Sequence, residues 1–139
     1  MNYVSTRGAW HEAPQPFSAI LLEGLAPDGG LAVPHSYPRC TAAELAAMRG
    51  LDYRALAFAV LSRFIDDIPA PDLRRLIDAT YTAATFGSDE VTPLLTLEPG
   101  LALLRVSNGP TLAFKDIALQ LLGRLFEYVL AAEQRTVNI

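Results

Sequence analysis

The stretch "NGPTLAFKDIALQLLGRLFEYVL", residues 108–130, holds Lys115, the single lysine in a chain with ten arginines. A composition rich in alanine and arginine is what a GC-rich genome produces, because arginine replaces lysine wherever charge alone matters. A lysine kept against that drift points to a need for an amine. Arginine stays protonated and presents a planar fork of donors. A lysine amine loses its proton when desolvated and then serves as a base or as a nucleophile toward a carbonyl.

The surrounding pattern says where such an amine would sit. From Phe114 to Gln134 the residues predict one long amphipathic helix, with Asp116, Gln120, Gly123, Arg124 and Glu127 recurring along a polar stripe. At about 100° per residue, Lys115 lies roughly 125° from the centre of that stripe, on the side of Leu119, Leu122 and Phe126. Its stem is therefore expected to head toward the core or a cleft. Lys115 also falls in the first turn, where the partial positive charge of a helix favours anions by about 0.3–1 kcal/mol. Asp116 meets that preference and Lys115 opposes it, and burial would disfavour the ammonium further. The residues alone leave two readings open: an amine poised neutral between loop and helix start, or a surface lysine that snorkels to solvent from an irregular first turn.

The elements that would carry this lysine follow from turn and cap signals. "NYVST" at 2–6 predicts a short strand, and "PFSAILLEG" a helix opened by Pro16 and closed by Gly24. "APDGGLAVP" reads as a turn and a short strand, without the glycine spacing of a phosphate cradle. Thr41 and Glu44 stand in capping-box register, which predicts a helix ending before Gly50. A second helix is predicted from Asp52 to the break at Pro69, and a third from Pro71 to near Gly87. "PLLTL", "EPG" and "LALLRV" form a hairpin whose continuous apolar runs suggest strands buried on both faces or at a domain interface. The long helix follows, and "RTVNI" reads as a further strand. A helical first part, then hairpin, long helix and strand, is the opening of an α/β domain.

At 139 residues and 51% hydrophobic, the chain has the material for a core. A net charge of −4, with no basic cluster beyond Arg74 and Arg75, argues against nucleic acid or an anionic membrane as partner. His11 and His35 lack the spacing of a metal site, and Cys40, the only cysteine, forms no internal disulfide. With no signal-like start and no long apolar run, the expected location is the cytoplasm.

Three segments in order, "NYVSTRG", "LLEGLAPDGGLAVP" at 21–34 and "GPTLAFKDIALQLLGRLFEYVL" at 109–130, resemble the N-terminal portion of bacterial threonine synthases. That family is a branch of the fold-type II pyridoxal-phosphate enzymes and converts O-phospho-L-homoserine and water into L-threonine and phosphate. The resemblance implies that Lys115 holds pyridoxal 5'-phosphate as a Schiff base and moves protons at the substrate, a role requiring a neutral amine. It makes Asn108, Thr111 and Asp116 candidates for the substrate site. It also implies a mostly helical region over 1–91 and the start of the cofactor-binding α/β domain over 92–139, stopping short of the loop that binds the cofactor phosphate. Ser107, Asn108 and Ala32 depart from residues usual in the family.

Two other readings stand beside it. One is a non-catalytic module that pairs its hairpin and last strand with another chain; the other is a related fold-type II enzyme such as a dehydratase. On the threonine synthase reading, the isolated chain is expected to bind the cofactor weakly, to make no threonine and to be prone to self-association.

Overall fold

A computed structural model describes residues 1–136, which form two compact units: 1–50 with 58–73, and 51–57 with the residues from 74 onward. In the first unit, β1 (Tyr3–Ser5) pairs antiparallel with β2 (Ala32–Pro34), Val4 opposite Val33. Between them lies α1 (Phe17–Glu23), its C-cap Gly24 at φ 72 donating its N–H to the Ile20 carbonyl. The "DGG" turn is latched by Asp28, whose carboxylate accepts from Ser5 Oγ (2.7 Å), Ala9 N–H (2.8 Å) and Gly30 N–H (2.9 Å). A Cβ at Gly30 would collide with Ser5 Oγ, so the latch closes only over glycine.

Helix α2 (Ala42–Met48) has the capping box expected from its sequence: Thr41 Oγ1 accepts from Glu44 N–H, and the Glu44 carboxylate accepts from Thr41 N–H. Glu44 also accepts from Arg63 at 2.9 Å. The chain passes from one unit to the other between Gly50 and Leu51, within α3 (Tyr53–Leu61) and within α4 (Ala70–Thr80). In the first unit Tyr3, Val4, Leu21, Ala26, Ile65 and Ile68 are buried.

The second unit contains α5 (Ala83–Phe86), the hairpin β3 (Leu94–Glu98) and β4 (Leu101–Leu104), and α6 (Asp116–Glu133). Its buried residues include Ile77, Tyr81, Phe86 and Val91, with Leu121, Leu125 and Val129 at i, i+4 spacing along α6. Tyr81 stands edge-on to Tyr53, with ring centroids 5.0 Å apart, and its hydroxyl donates to the Ile117 carbonyl at 2.9 Å. Burial holds the Tyr81 phenol well above its usual pKa.

Four expectations change. The second helix does not run to Pro69; it ends at Leu61, where the N–H groups of Arg63 and Phe64 bond three residues back, to the Val60 and Leu61 carbonyls, and tighten the chain into a turn. The third helix does not run to Gly87; it ends at Thr80, whose hydroxyl bonds back to the Leu76 carbonyl, and Thr82 caps a separate short helix by accepting from Thr85 N–H. The hairpin is not buried: every residue of β3 and β4 is exposed, because among the described residues the strands pair only with each other. Asp116, placed on the polar stripe by periodicity, is 2% exposed. The strand expected at "RTVNI" falls mainly on residues 137–139, outside the described residues, and Arg135 and Thr136 have no regular structure. No helix among the described residues is long and apolar enough to cross a membrane.

Two tests follow from this packing. Phe86→Ala, at a site 1% exposed, should cost about 3–5 kcal/mol in a denaturant titration. The second concerns acid. The Thr41 N–H, the Arg63 guanidinium and the Thr41 hydroxyl pull the Glu44 carboxyl from 4.5 down to about 2. A depressed carboxyl stabilises the fold fully above its unfolded value and loses that contribution as pH falls through the folded one. Melting temperatures taken between pH 5 and pH 2 should therefore fall more steeply for the parent than for Glu44→Gln, with the two curves converging at the acid end.

Candidate active site

Lys115 precedes α6 with helical backbone angles, φ −63 and ψ −24, and its carbonyl accepts from Leu119 N–H at 2.8 Å. It is exposed, not buried, and it lines an open, almost wholly apolar cleft of about 410 Å³ with Val106, Phe114, Ile117, Ala118 and Leu119. The cleft half of the expectation thus corresponds to what is seen, while the buried half does not. Helical periodicity assigns a polar residue such as Asp116 to the outward face, and the structure reverses that assignment. Asp116 turns inward, and its neighbour Lys115 turns out.

The loop that presents Lys115 is built around that carboxylate. Asp116 accepts from Thr111 N–H at 2.8 Å and from the Thr111 hydroxyl at 3.0 Å. Burial alone would raise the Asp116 pKa, but hydrogen bonds from the Thr111 N–H and hydroxyl, the Ala113 N–H and Gln120 outweigh it, leaving the carboxyl below its usual value. Gly109 packs directly on this group: a Cβ there would collide with Asp116 Cβ and lie 2.7 Å from its Oδ2. Leu112 takes a left-handed conformation, φ 58, to complete the turn.

Upstream, the Asn108 amide donates to the Val91 carbonyl at 2.9 Å and to the Phe86 carbonyl at 2.5 Å, while its Oδ1 is buried without a hydrogen-bond partner. Val91 is fully buried and held at φ 59, an uncommon backbone for a β-branched residue. Of the residues named beside Lys115 from sequence, Asn108 and Thr111 therefore lie on the loop that carries it and Asp116 opens α6, all three with their side chains engaged inside the chain. Sequence reasoning missed Tyr81, Phe86 and Val91, which anchor this loop and the first turn of α6; nothing in their local pattern marks them. A separate cleft of about 430 Å³, lined by Arg75, Arg124, Glu127 and Tyr128 among others, shares no residue with the Lys115 cleft. Among the described residues, no group of three or more His, Cys, Asp or Glu side chains is placed to hold a metal ion.

The chain is a mixed helix-and-strand fold that presents a lone amine on an apolar wall at the start of a long helix. A family model described as "Threonine synthase N terminus" matches residues 2–81. A threonine synthase from Methylobacillus glycogenes is 56% identical over 147 residues, and one from Corynebacterium glutamicum 47% identical over 143, each across all of this chain. Among solved structures, a PLP-bound threonine synthase from Brucella melitensis superimposes with a TM-score of 0.88 at 46% identity, covering 96% of this chain and 28% of that one. A threonine synthase from yeast gives 0.87 at 41% identity, covering 95% of this chain and 27% of that one. The chain belongs to the threonine synthase family, as its N-terminal portion, and spans about 30% of the length of the curated relatives it matches.

The packing at Gly109 yields a direct test. Gly109→Ala should destabilise the second unit by about 1–3 kcal/mol, the range for forcing a methyl into filled space, and should speed hydrogen exchange at the Thr111 amide.

Proposed function

We propose that these residues are the N-terminal part of a threonine synthase, an enzyme that converts O-phospho-L-homoserine and water into L-threonine and phosphate. Lys115 is the residue that holds pyridoxal 5'-phosphate in this reading. The observation that carries it is the single lysine of the chain, standing in the "GPTLAFKD" loop on the open apolar cleft. A primary amine that accepts an aldehyde must be reachable, and an apolar wall beside it suits an aromatic ring. The residues present fit the cofactor in both respects. When bound, the cofactor supplies the electron sink for proton removal next to the substrate amine.

The tasks left to this chain are positional. Lys115 contributes the anchoring amine and, once that amine is free, moves protons at substrate carbon. Val106, Ile117 and Ala118 form an apolar wall that excludes water on one side. Asn108 and Thr111 remain candidates beside the substrate in this reading, and Asp116, at the start of α6, fixes with them the shape of the loop that presents Lys115. Residues 92–139 open the cofactor-binding domain and 1–91 form the helical region before it. In this reading the 139 residues supply the lysine and one wall, and turnover draws on further length of the kind the relatives have, of which this chain spans about 30%.

Lys115→Arg is the decisive variant. It keeps the positive charge and removes the amine, since guanidinium does not condense with the aldehyde. In the assembled enzyme it should abolish the near-visible absorbance of bound cofactor and lower phosphate release from O-phosphohomoserine by orders of magnitude. Retained turnover would remove Lys115 from the mechanism.

A further inference from the structure

Asp116 and Lys115 are consecutive at the start of α6, so their side chains diverge by about 100° around the axis. Fixing the direction of one therefore fixes the other. Asp116 is held from several sides: the Thr111 N–H and hydroxyl and the Ala113 N–H from the loop, Gln120 from the next turn, and Gly109 packed against its Cβ. The first turn is pinned independently by the Tyr81 hydroxyl on the Ile117 carbonyl. Lys115 is left on the open side, against the cleft.

We infer that Asp116 is a positioning residue for Lys115: by drawing its carboxylate back onto Thr111, it sets the rotational phase of the first turn of α6 and so the side from which the Lys115 amine meets the apolar cleft. The inference rests on the reading of Lys115 as the cofactor lysine. It gives Asp116 a role different from contact with the substrate, because the donors around the carboxylate are those of the protein's own loop. Asparagine at 116 keeps the size but replaces one acceptor oxygen by a donor, which faces the Thr111 and Ala113 donors instead of receiving them. The first turn is then held on the Tyr81 side alone, its phase loosens, and the amine loses a single approach.

The chemistry of the test is covalent capture. The Lys115 amine condenses with the aldehyde of pyridoxal 5'-phosphate, forming a C=N bond and releasing water, and borohydride supplies the hydride that reduces this bond to a stable secondary amine. Trapping makes weak binding measurable, and because Lys115 is the only lysine, peptide mapping separates it from the Met1 α-amine. Two quantities are read from the trapped protein: the extent of labelling at Lys115, and the circular dichroism of the pyridoxyl chromophore per label, which reports whether the ring is held in one orientation.

In the parent, labelling is specific and the chromophore dichroic. Asp116→Asn should lose the dichroism per label severalfold, Thr111→Val should lose part of it, and Thr111→Ser, which keeps the hydroxyl, should match the parent. Val129→Ala, a buried change toward the far end of the same helix, supplies a comparable loss of melting temperature and should leave the dichroism intact. Equal loss in Val129→Ala and Asp116→Asn would overturn the positioning role, as would full dichroism in Asp116→Asn while Lys115→Arg abolishes labelling; that second result leaves the functional reading standing. Absence of specific labelling in the parent, or labelling unchanged by Lys115→Arg, would overturn both. Should Asp116→Asn not fold, the contrast between Thr111→Val and Thr111→Ser decides, with equality between them counting against the proposal.

Discussion

A carboxylate at 2% exposure is an expensive thing for a chain to keep, and the structure around Asp116 answers that cost. Backbone N–H groups at 111 and 113, a hydroxyl and a side-chain amide converge on it, in place of the water it has lost. The convergence dictates the rest of the loop. Thr111 must supply both a backbone and a side-chain donor, residue 109 must lack a Cβ, and Leu112 must accept a left-handed backbone. Asn108, one residue earlier, ties the loop to the carbonyls of Phe86 and Val91. What stands at the end of this chain of constraints is the direction of Lys115.

The first unit repeats the device with different residues. Asp28 gathers the Ser5 hydroxyl and the N–H groups of Ala9 and Gly30, these hydrogen bonds depress its pKa, and Gly30 packs where no Cβ fits. The sequence segments that resemble threonine synthases, "NYVSTRG", "LAPDGGLAVP" and "GPTLAFKD", are the ones that contribute to these two latches. Each latch needs several residue types at fixed places, so few sequences satisfy it. Surface helices such as α2 need only a cap and an apolar face, which many sequences provide. Specific motif and undistinguished helix thus have one explanation, the number of simultaneous hydrogen-bond conditions the segment must meet.

This also explains which parts of the fold were legible. The capping box of Thr41 and Glu44, the Gly24 helix stop and the Pro99–Gly100 turn, with Gly100 at φ 83, were read correctly because their signals are local and each residue acts on backbone within four positions. The break at Thr80 was missed because threonine back-bonding to Leu76 and capping by Thr82 compete with a periodic pattern that continues through them. Asp116 was assigned to the outward stripe because helical periodicity weighs residue type and not the donors that a preceding loop supplies. The exposed hairpin shows the opposite failure: leucine runs report what a strand is suited to pack against, and the described residues cover neither face.

The exposure of Lys115 and its proposed chemistry then belong to one arrangement. A buried amine would shed its proton readily but would be closed to an incoming aldehyde, while an exposed one is open but stays solvated. An amine on the rim of an apolar cleft is open until the cleft is filled, and filling it with an aromatic ring removes water from the amine at the same time. Arginine in that place would keep its charge through the filling, so on the proposed reading the one lysine of this arginine-rich chain stands where only an amine would serve.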